Sequence, residues 1–128
     1  MTPQELYAAV KPLWERDAGF RVSGLEWEGE EAEQFVVSLG DIRGVFRTGI
    51  FPVARAAALI RDGIVERLGE FGLSVTVDQF VMPEGEYRGQ KWWRTEVRSE
   101  AESLSVDSDR DRTLAMICAA ESAMEQRP

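Results

Sequence analysis

The sequence predicts an α+β fold, with two or three helices packed on a mainly antiparallel sheet. Residues 52–71 carry apolar side chains at helical spacing, and residues 73–98 alternate apolar with polar side chains, as a half-buried hairpin does. The elements follow the order α-β-β-β-α-β-β-β-α, which is compatible with an α-β-α sandwich. Because no linker, repeat or low-complexity tract divides residues 1–128, the sequence predicts a single domain.

A capping box near the start of the chain predicts the first helix. Thr2 is the expected N-cap and Glu5 closes the box, while Pro12 predicts a kink or an early end. A strand is expected over residues 20–27, with a bulge at Gly24, where the apolar positions change parity. An acidic turn and two short strands should lead to the middle helix, at residues 28–33, 35–39 and 42–48.

The middle helix should extend from about Pro52 to about Phe71. Gly72 is expected to end it in a left-handed conformation, which glycine adopts without steric cost. A strand over residues 73–81 and its partner over residues 87–99 should then form the half-buried hairpin.

The last part of the chain should add a short strand over residues 102–106 and a closing helix. Ser108 is the expected N-cap of this helix, in a second capping box that Asp111 completes. Cys118 is interpreted as a small core residue rather than a nucleophile. The predicted apolar stripe of the helix comprises Leu114, Ile117, Cys118 and Met124.

Residues beyond position 50 form a recognisable pattern. An alanine-rich helix leads through a glycine into a strand, a tryptophan-containing strand follows, and an acidic turn precedes a final alanine-rich helix. These segments are residues 56–60 and 66–68, 72–77, 93–97, 107–112 and 114–121. The pattern resembles the small phage-encoded ABA sandwich proteins. The resemblance implies a phage or prophage origin and helices flanking a sheet, but no activity and no catalytic residue, because that group has no established common function.

Composition restricts the partners. The 23 Asp and Glu residues outnumber the 15 Lys and Arg residues, and the net charge of -8 disfavours binding to a phosphate backbone. A basic protein partner is compatible with this charge. The single cysteine allows no internal disulfide, and no signal peptide or apolar run of ~20 residues is present. We therefore expect a cytoplasmic protein that does not contact a membrane.

The residue types needed for familiar catalysis are scarce. The chain has no histidine, which removes the usual triads and the commonest zinc ligand, and it has no glycine-rich phosphate loop. Asp107, Asp109 and Asp111 have the spacing that opens an EF-hand, but Arg112 and Cys118 occupy the positions of the required Gly and Glu. Helix capping is the favoured interpretation. We predict no enzyme, and no catalytic, cofactor-binding or metal-binding residue.

A candidate interaction face lies on the predicted strand over residues 87–99. With a period of two, Trp93, Thr95 and Val97 should point inward. The outward side chains mix tryptophan with charge, as protein hot spots and base-stacking surfaces do. A flanking helix over Trp92, or Arg94 stacked on its ring, would be the structural alternative. The outward residues are Arg88, Trp92, Arg94, Glu96 and Arg98.

Three functions are compatible with these features. The first is a non-enzymatic phage accessory protein that acts through a protein partner, with self-association left open. The second is an acidic inhibitor that presents the carboxylates of residues 26–33 and of the helices to the basic groove of a nucleic-acid-binding protein, although the 26–33 run is ordinarily a solvated loop. The third is a single-strand nucleic-acid binder that uses the Trp92 face.

Overall fold

The structure of the protein, a computed structural model, describes residues 1–28, 34–38, 45–46 and 53–126. Among the strand residues before position 53, only Leu25 has its side chain described. Its elements are α1 (Pro3–Arg16), a 3-10 helix (Ala18–Phe20), β1 (Leu25–Glu28), β2 (Gln34–Ser38), β3 (Val45–Phe46), α2 (Val53–Glu70), β4 (Ser74–Val81), β5 (Lys91–Arg98), β6 (Ser103–Asp109) and α3 (Arg112–Glu125). The predicted α+β class is confirmed. The acidic turn expected beyond Glu28 and the predicted helix start at Pro52 lie outside the described residues.

The chain divides into two compact units, Met1–Gly63 and Ile64–Pro128. Each contains one antiparallel three-stranded sheet, with the orders β1-β2-β3 and β4-β5-β6. The single-domain and sandwich interpretations concern both units together, and they stay predictions.

The first unit confirms the predicted start of α1. The Thr2 hydroxyl accepts a hydrogen bond from the Glu5 amide at 3.1 Å, which satisfies one of the amides that a helix start leaves without a partner. The helix continues through Pro12 to Arg16, so the early end does not occur. Four apolar side chains of α1 are buried, namely Leu6, Val10, Leu13 and Trp14.

The strand predicted over residues 20–27 begins only at Leu25. The Asp17 carboxylate accepts from the Gly19 amide at 2.7 Å and thereby stabilises a 3-10 turn, in which Phe20 is buried. Gly24 has a φ of 82° and lies just before β1, so it forms a turn rather than the expected bulge. Phe20 and Leu25 differ in parity because they belong to different elements.

In the second unit, α3 packs on β5 and β6. Thr95 and Val97 of β5 are fully buried, as predicted for the inner face. The Ser105 hydroxyl of β6 donates to the Ala119 carbonyl of α3 at 2.7 Å, which joins the helix directly to the sheet. The inner face of this sheet therefore carries the odd-numbered residues of β5 and β6.

Gly72 ends α2 as predicted. Its φ is 76°, its amide donates to the Gly69 carbonyl at 3.0 Å, and the Leu73 amide donates to the Leu68 carbonyl at 2.9 Å. These two bonds form a Schellman motif, which commonly has apolar residues at the positions that Leu68 and Leu73 occupy. Both Leu68 and Leu73 are buried.

Two predictions for α3 are wrong. Its N-cap is Asp111, whose carboxylate accepts from the Thr113 and Leu114 amides, and Ser108 instead belongs to β6, which pairs with β5 up to Asp109. Cys118 is exposed and Leu114 is half-buried, because the helix presents a different, mostly alanine side to the core. The buried residues of α3 are Thr113, Ala115, Met116, Ile117, Ala119, Ala120, Ala123 and Met124.

Candidate interaction surface

The second sheet has one face covered by α3 and an opposite face that is largely accessible. We call the opposite face the outer face. Strand register places Phe80 opposite Trp92, Asp78 opposite Arg94, and Thr76 opposite Glu96. Each of these side chains is exposed or half-buried. The outer face comprises Ser74, Thr76, Asp78 and Phe80 of β4, Trp92, Arg94, Glu96 and Arg98 of β5, and Val106 and Ser108 of β6.

The structure brings together four of the five predicted interaction residues. Trp92, Arg94, Glu96 and Arg98 lie in a row along β5 on the outer face. Arg88 is exposed but precedes the strand, in a turn where its amide donates to the Gly85 carbonyl. The period-two pattern does not extend to Arg88 because the strand begins at Lys91.

Trp92 is half-buried, and one of its neighbours is an aromatic residue that the sequence pattern did not single out. The Tyr87 ring lies 5.3 Å from the Trp92 ring, centroid to centroid, at an interplanar angle of 54°. The Arg110 guanidinium in turn lies 4.9 Å from the centroid of Tyr87. The Trp92 Nε1 atom is inaccessible to solvent and has no hydrogen-bond partner among the described residues. The indole is thus held from one side and displays only part of its surface.

Among the described residues, no cation–π contact joins Arg94 to the Trp92 ring, and the alternative of a helix over Trp92 stays a prediction. Arg94 directs its guanidinium to Glu96, with 3.6 Å between Nη2 and Oε2. The Tyr87 ring that contacts Trp92 comes from the turn between β4 and β5. Gly85, with a φ of 90°, allows the chain to turn there. The sequence signal was the aromatic residue five positions before Trp92, inside a glycine-rich turn.

Charge on the outer face is mixed in sign. Glu96 is half-buried and lies between two arginines, with 2.9 Å from its Oε1 to Arg98 Nη1. Asp78 is exposed, and among the described residues its carboxylate makes no hydrogen bond or ion pair. Exposed ion pairs of this kind contribute little to stability, so their energy does not explain why the charges cluster.

Asp78, Phe80 and Arg94 line an open depression of about 360 Å³ on the outer face. The two charged residues stand opposite each other in the strand register, and Phe80 forms the apolar part of the wall. A depression this open suits a protruding side chain of another protein better than an enclosed small molecule.

Cys118 lies on α3, outside this face, and its surroundings disfavour a nucleophilic role. Although Cys118 is exposed as a residue, partial burial of its thiol, and then the negative charges of Asp107, Asp109 and Glu121, raise its pKa. A raised pKa disfavours the thiolate, which is the nucleophilic form.

Of the three aspartates before α3, Asp111 caps the helix and Asp109 orders the residues just before it. The Asp109 carboxylate accepts from the Asp111 amide at 2.9 Å, and Asp111 caps the helix itself. Within the described ranges, no three His, Cys, Asp or Glu residues are placed to hold a metal ion.

Comparisons with known proteins leave the family open. No protein-family model, curated protein or solved structure matches the chain. The resemblance to phage-encoded sandwich proteins therefore stays a prediction. In the part of the chain that the structure describes, no helix has both the length and the apolar character of a transmembrane span.

Proposed function

We propose that the protein is a non-enzymatic accessory protein that binds another protein through the outer face. The observation that carries this proposal is the accessible sheet face, which the partly exposed rings of Trp92 and Phe80 share with Arg94 and Arg98. Tryptophan and arginine are the residue types most enriched among energetic hot spots of protein interfaces.

The geometry favours binding because the central side chains are already ordered. Trp92 is held by Tyr87, and Arg94 and Arg98 are both oriented by Glu96. Side chains that are fixed before association lose less conformational entropy when a partner binds. Val106, with 50% of its surface exposed, adds apolar area beside Glu96 in the β5–β6 register.

The proposal includes a partner with mixed charge. Arg94 and Arg98 would pair with carboxylates of the partner, and the exposed Asp78 would pair with a basic side chain. A phage or prophage origin and a cytoplasmic location belong to the same proposal. They are supported by the resemblance of residues beyond position 50 and by the single cysteine.

Single-strand nucleic-acid binding by the same face is less well supported. Base stacking needs an open ring, whereas Trp92 is half-buried against Tyr87. Glu96 and Asp78 also place negative charge where a phosphate backbone would run. The acidic-inhibitor hypothesis needs the carboxylates of residues 26–33 to cluster with those of the helices, and the side chains of residues 26–33 lie outside the described ones.

The test compares capture of host proteins by four immobilised forms of the protein. Trp92→Ala and Arg94→Ala should each weaken capture of a specific partner roughly thirtyfold, which corresponds to the ~2 kcal/mol typical of a hot spot. Arg55→Ala removes an exposed arginine from α2 in the first unit and should leave capture unchanged. Circular dichroism would verify that each variant is folded.

Equal capture by all four forms would contradict the proposal. Fluorescence anisotropy with a labelled single-stranded oligonucleotide at low salt tests the alternative. Tight, salt-sensitive binding that Trp92→Ala abolishes would replace a protein partner with a nucleic acid.

A further inference from the structure

Strand β4 leaves one side of the second sheet open. It is the first strand in the order β4-β5-β6 and has eight residues. The Met82 amide donates to the Gln90 carbonyl at 2.9 Å, which shows that even-numbered residues direct their backbone groups toward β5. Because these directions alternate along an antiparallel strand, the odd-numbered residues direct theirs outward. Among the described residues, nothing pairs with that side.

The β4 edge lacks the features that normally prevent strands from pairing. Lysine, proline and bulges protect exposed edges. Strand β4 contains no lysine or proline, its pairing with β5 is regular, and Asp78 is its only charged residue. The other edge, β6, carries Asp107 and Asp109, and its pairing with β5 is interrupted at Val97 and Arg98. The two edges therefore differ in their readiness to bind another strand.

We infer that the β4 edge pairs with the β4 edge of a second copy of this chain. The two strands would run antiparallel, with Val77 opposite Val77 of the second copy on a two-fold axis. Val77 is one of the residues whose backbone groups face outward, so this pair can exchange two hydrogen bonds. Val75 would lie opposite Gln79, and the outer faces of both copies would lie on the same side.

Side chains disfavour a neighbouring register. Centring the axis on Asp78 instead would place two carboxylates directly opposite each other, which is destabilising. With the axis at Val77, Asp78 lies opposite Thr76 of the second copy, whose hydroxyl can donate to it. Val81, with 57% of its surface exposed, then lies opposite Leu73 of the second copy and gains an apolar neighbour.

The inference does not depend on the proposed function. Edge pairing uses backbone groups of odd-numbered residues, whereas partner binding would use even-numbered side chains of the outer face. Pairing would join two three-stranded sheets into one continuous sheet and duplicate the outer face. A dimer that binds no partner would support edge pairing and contradict the proposed function. A monomer that binds a partner would do the reverse.

Sedimentation equilibrium over about a hundredfold range of concentration tests the dimer. The wild-type chain should approach twice its mass of 14.4 kDa. Gln79→Pro removes two outward-facing amide donors per dimer at an exposed position and should weaken association roughly tenfold or more. Ser108→Pro is the matched control, because it removes an outward-facing donor from β6 and should leave the mass unchanged.

Hydrogen exchange of the wild-type chain tests the pairing without any substitution. The amides of Val75, Val77 and Gln79 should become protected as concentration rises, whereas the amides of Thr76 and Asp78 are protected by β5 at every concentration. A chain that stays at 14.4 kDa throughout, or a Val77 amide whose exchange ignores concentration, would overturn the inference. So would a dimer that Ser108→Pro dissociates as effectively as Gln79→Pro.

Discussion

Replacing Thr95 with valine should stabilise the protein. Thr95 lies on the inner face of β5, opposite Val77 of β4 and Asp107 of β6, and its side chain is fully buried. Its hydroxyl has no hydrogen-bond partner among the described residues. Valine has nearly the same shape and a similar strand propensity, so the substitution changes little besides the polarity of one atom.

The expected gain follows from the cost of burying a polar group. A buried hydroxyl that makes no hydrogen bond costs ~1–3 kcal/mol, and a methyl group in its place adds up to ~0.8 kcal/mol of apolar burial. We therefore expect Thr95→Val to raise the free energy of unfolding by about 2 kcal/mol. With a urea m value of about 2 kcal/mol per M, the midpoint should rise by about 1 M.

Urea unfolding followed by circular dichroism measures this change, provided that the m value stays constant. Thr76→Val makes the same substitution on the exposed outer face of β4 and should shift stability by less than ~0.5 kcal/mol. Val97→Thr introduces a hydroxyl at the neighbouring buried position and should destabilise by ~1–3 kcal/mol. If Thr95→Val lowered stability by 1 kcal/mol or more, on the order of a lost hydrogen bond, the hydroxyl would have a partner and the argument would fail.

Three further predictions concern local features. Gly72→Ala should lower the free energy of unfolding by about 1 kcal/mol because φ at Gly72 is 76°, whereas Gly69→Ala inside α2 should raise it by ~0.5–1 kcal/mol. Equal effects of the two substitutions in urea unfolding would contradict the Schellman motif. Asp111→Ala should cost ~1 kcal/mol and Ser108→Ala less than ~0.5 kcal/mol, an order that would reverse if Ser108 were the cap of α3. Alkylation of Cys118 should be slower in the folded than in the urea-unfolded chain at mildly alkaline pH, since the raised pKa leaves less thiolate; a faster folded-state reaction would exclude that shift.

The features that the sequence predicted correctly depend on a few neighbouring residues. Thr2 caps α1 through a bond that reaches only three positions along the chain. Gly72 ends α2 because a left-handed residue is required at that point, and glycine supplies it. The inner positions Thr95 and Val97 follow from strict alternation. Each of these signals is complete within one turn or one strand.

The failures occurred where a distant element decides between two local options. The segment from Ser108 to Asp111 contains two acceptable N-caps, and pairing with β5 lengthens β6 until only the second remains. Cys118 was assigned to the core because thiols are usually buried, yet α3 turns its alanines inward. The small side chains on that side of α3 allow the helix to approach β6 closely, as the hydrogen bond from the Ser105 hydroxyl to the Ala119 carbonyl shows.

The distribution of charge distinguishes the outer face from the rest of the chain. The chain as a whole has a net charge of -8, which would repel any acidic partner at long range. On the outer face, however, Arg94 and Arg98 balance Glu96 and Asp78, so the local field is close to neutral. Under the proposed function, recognition there would depend on short-range contacts with Trp92 and the arginines, which salt screens less than it screens steering over longer distances. Such a surface would select its partner by shape and by the pairing of individual charges, because the balanced charges of the outer face add no long-range attraction of their own.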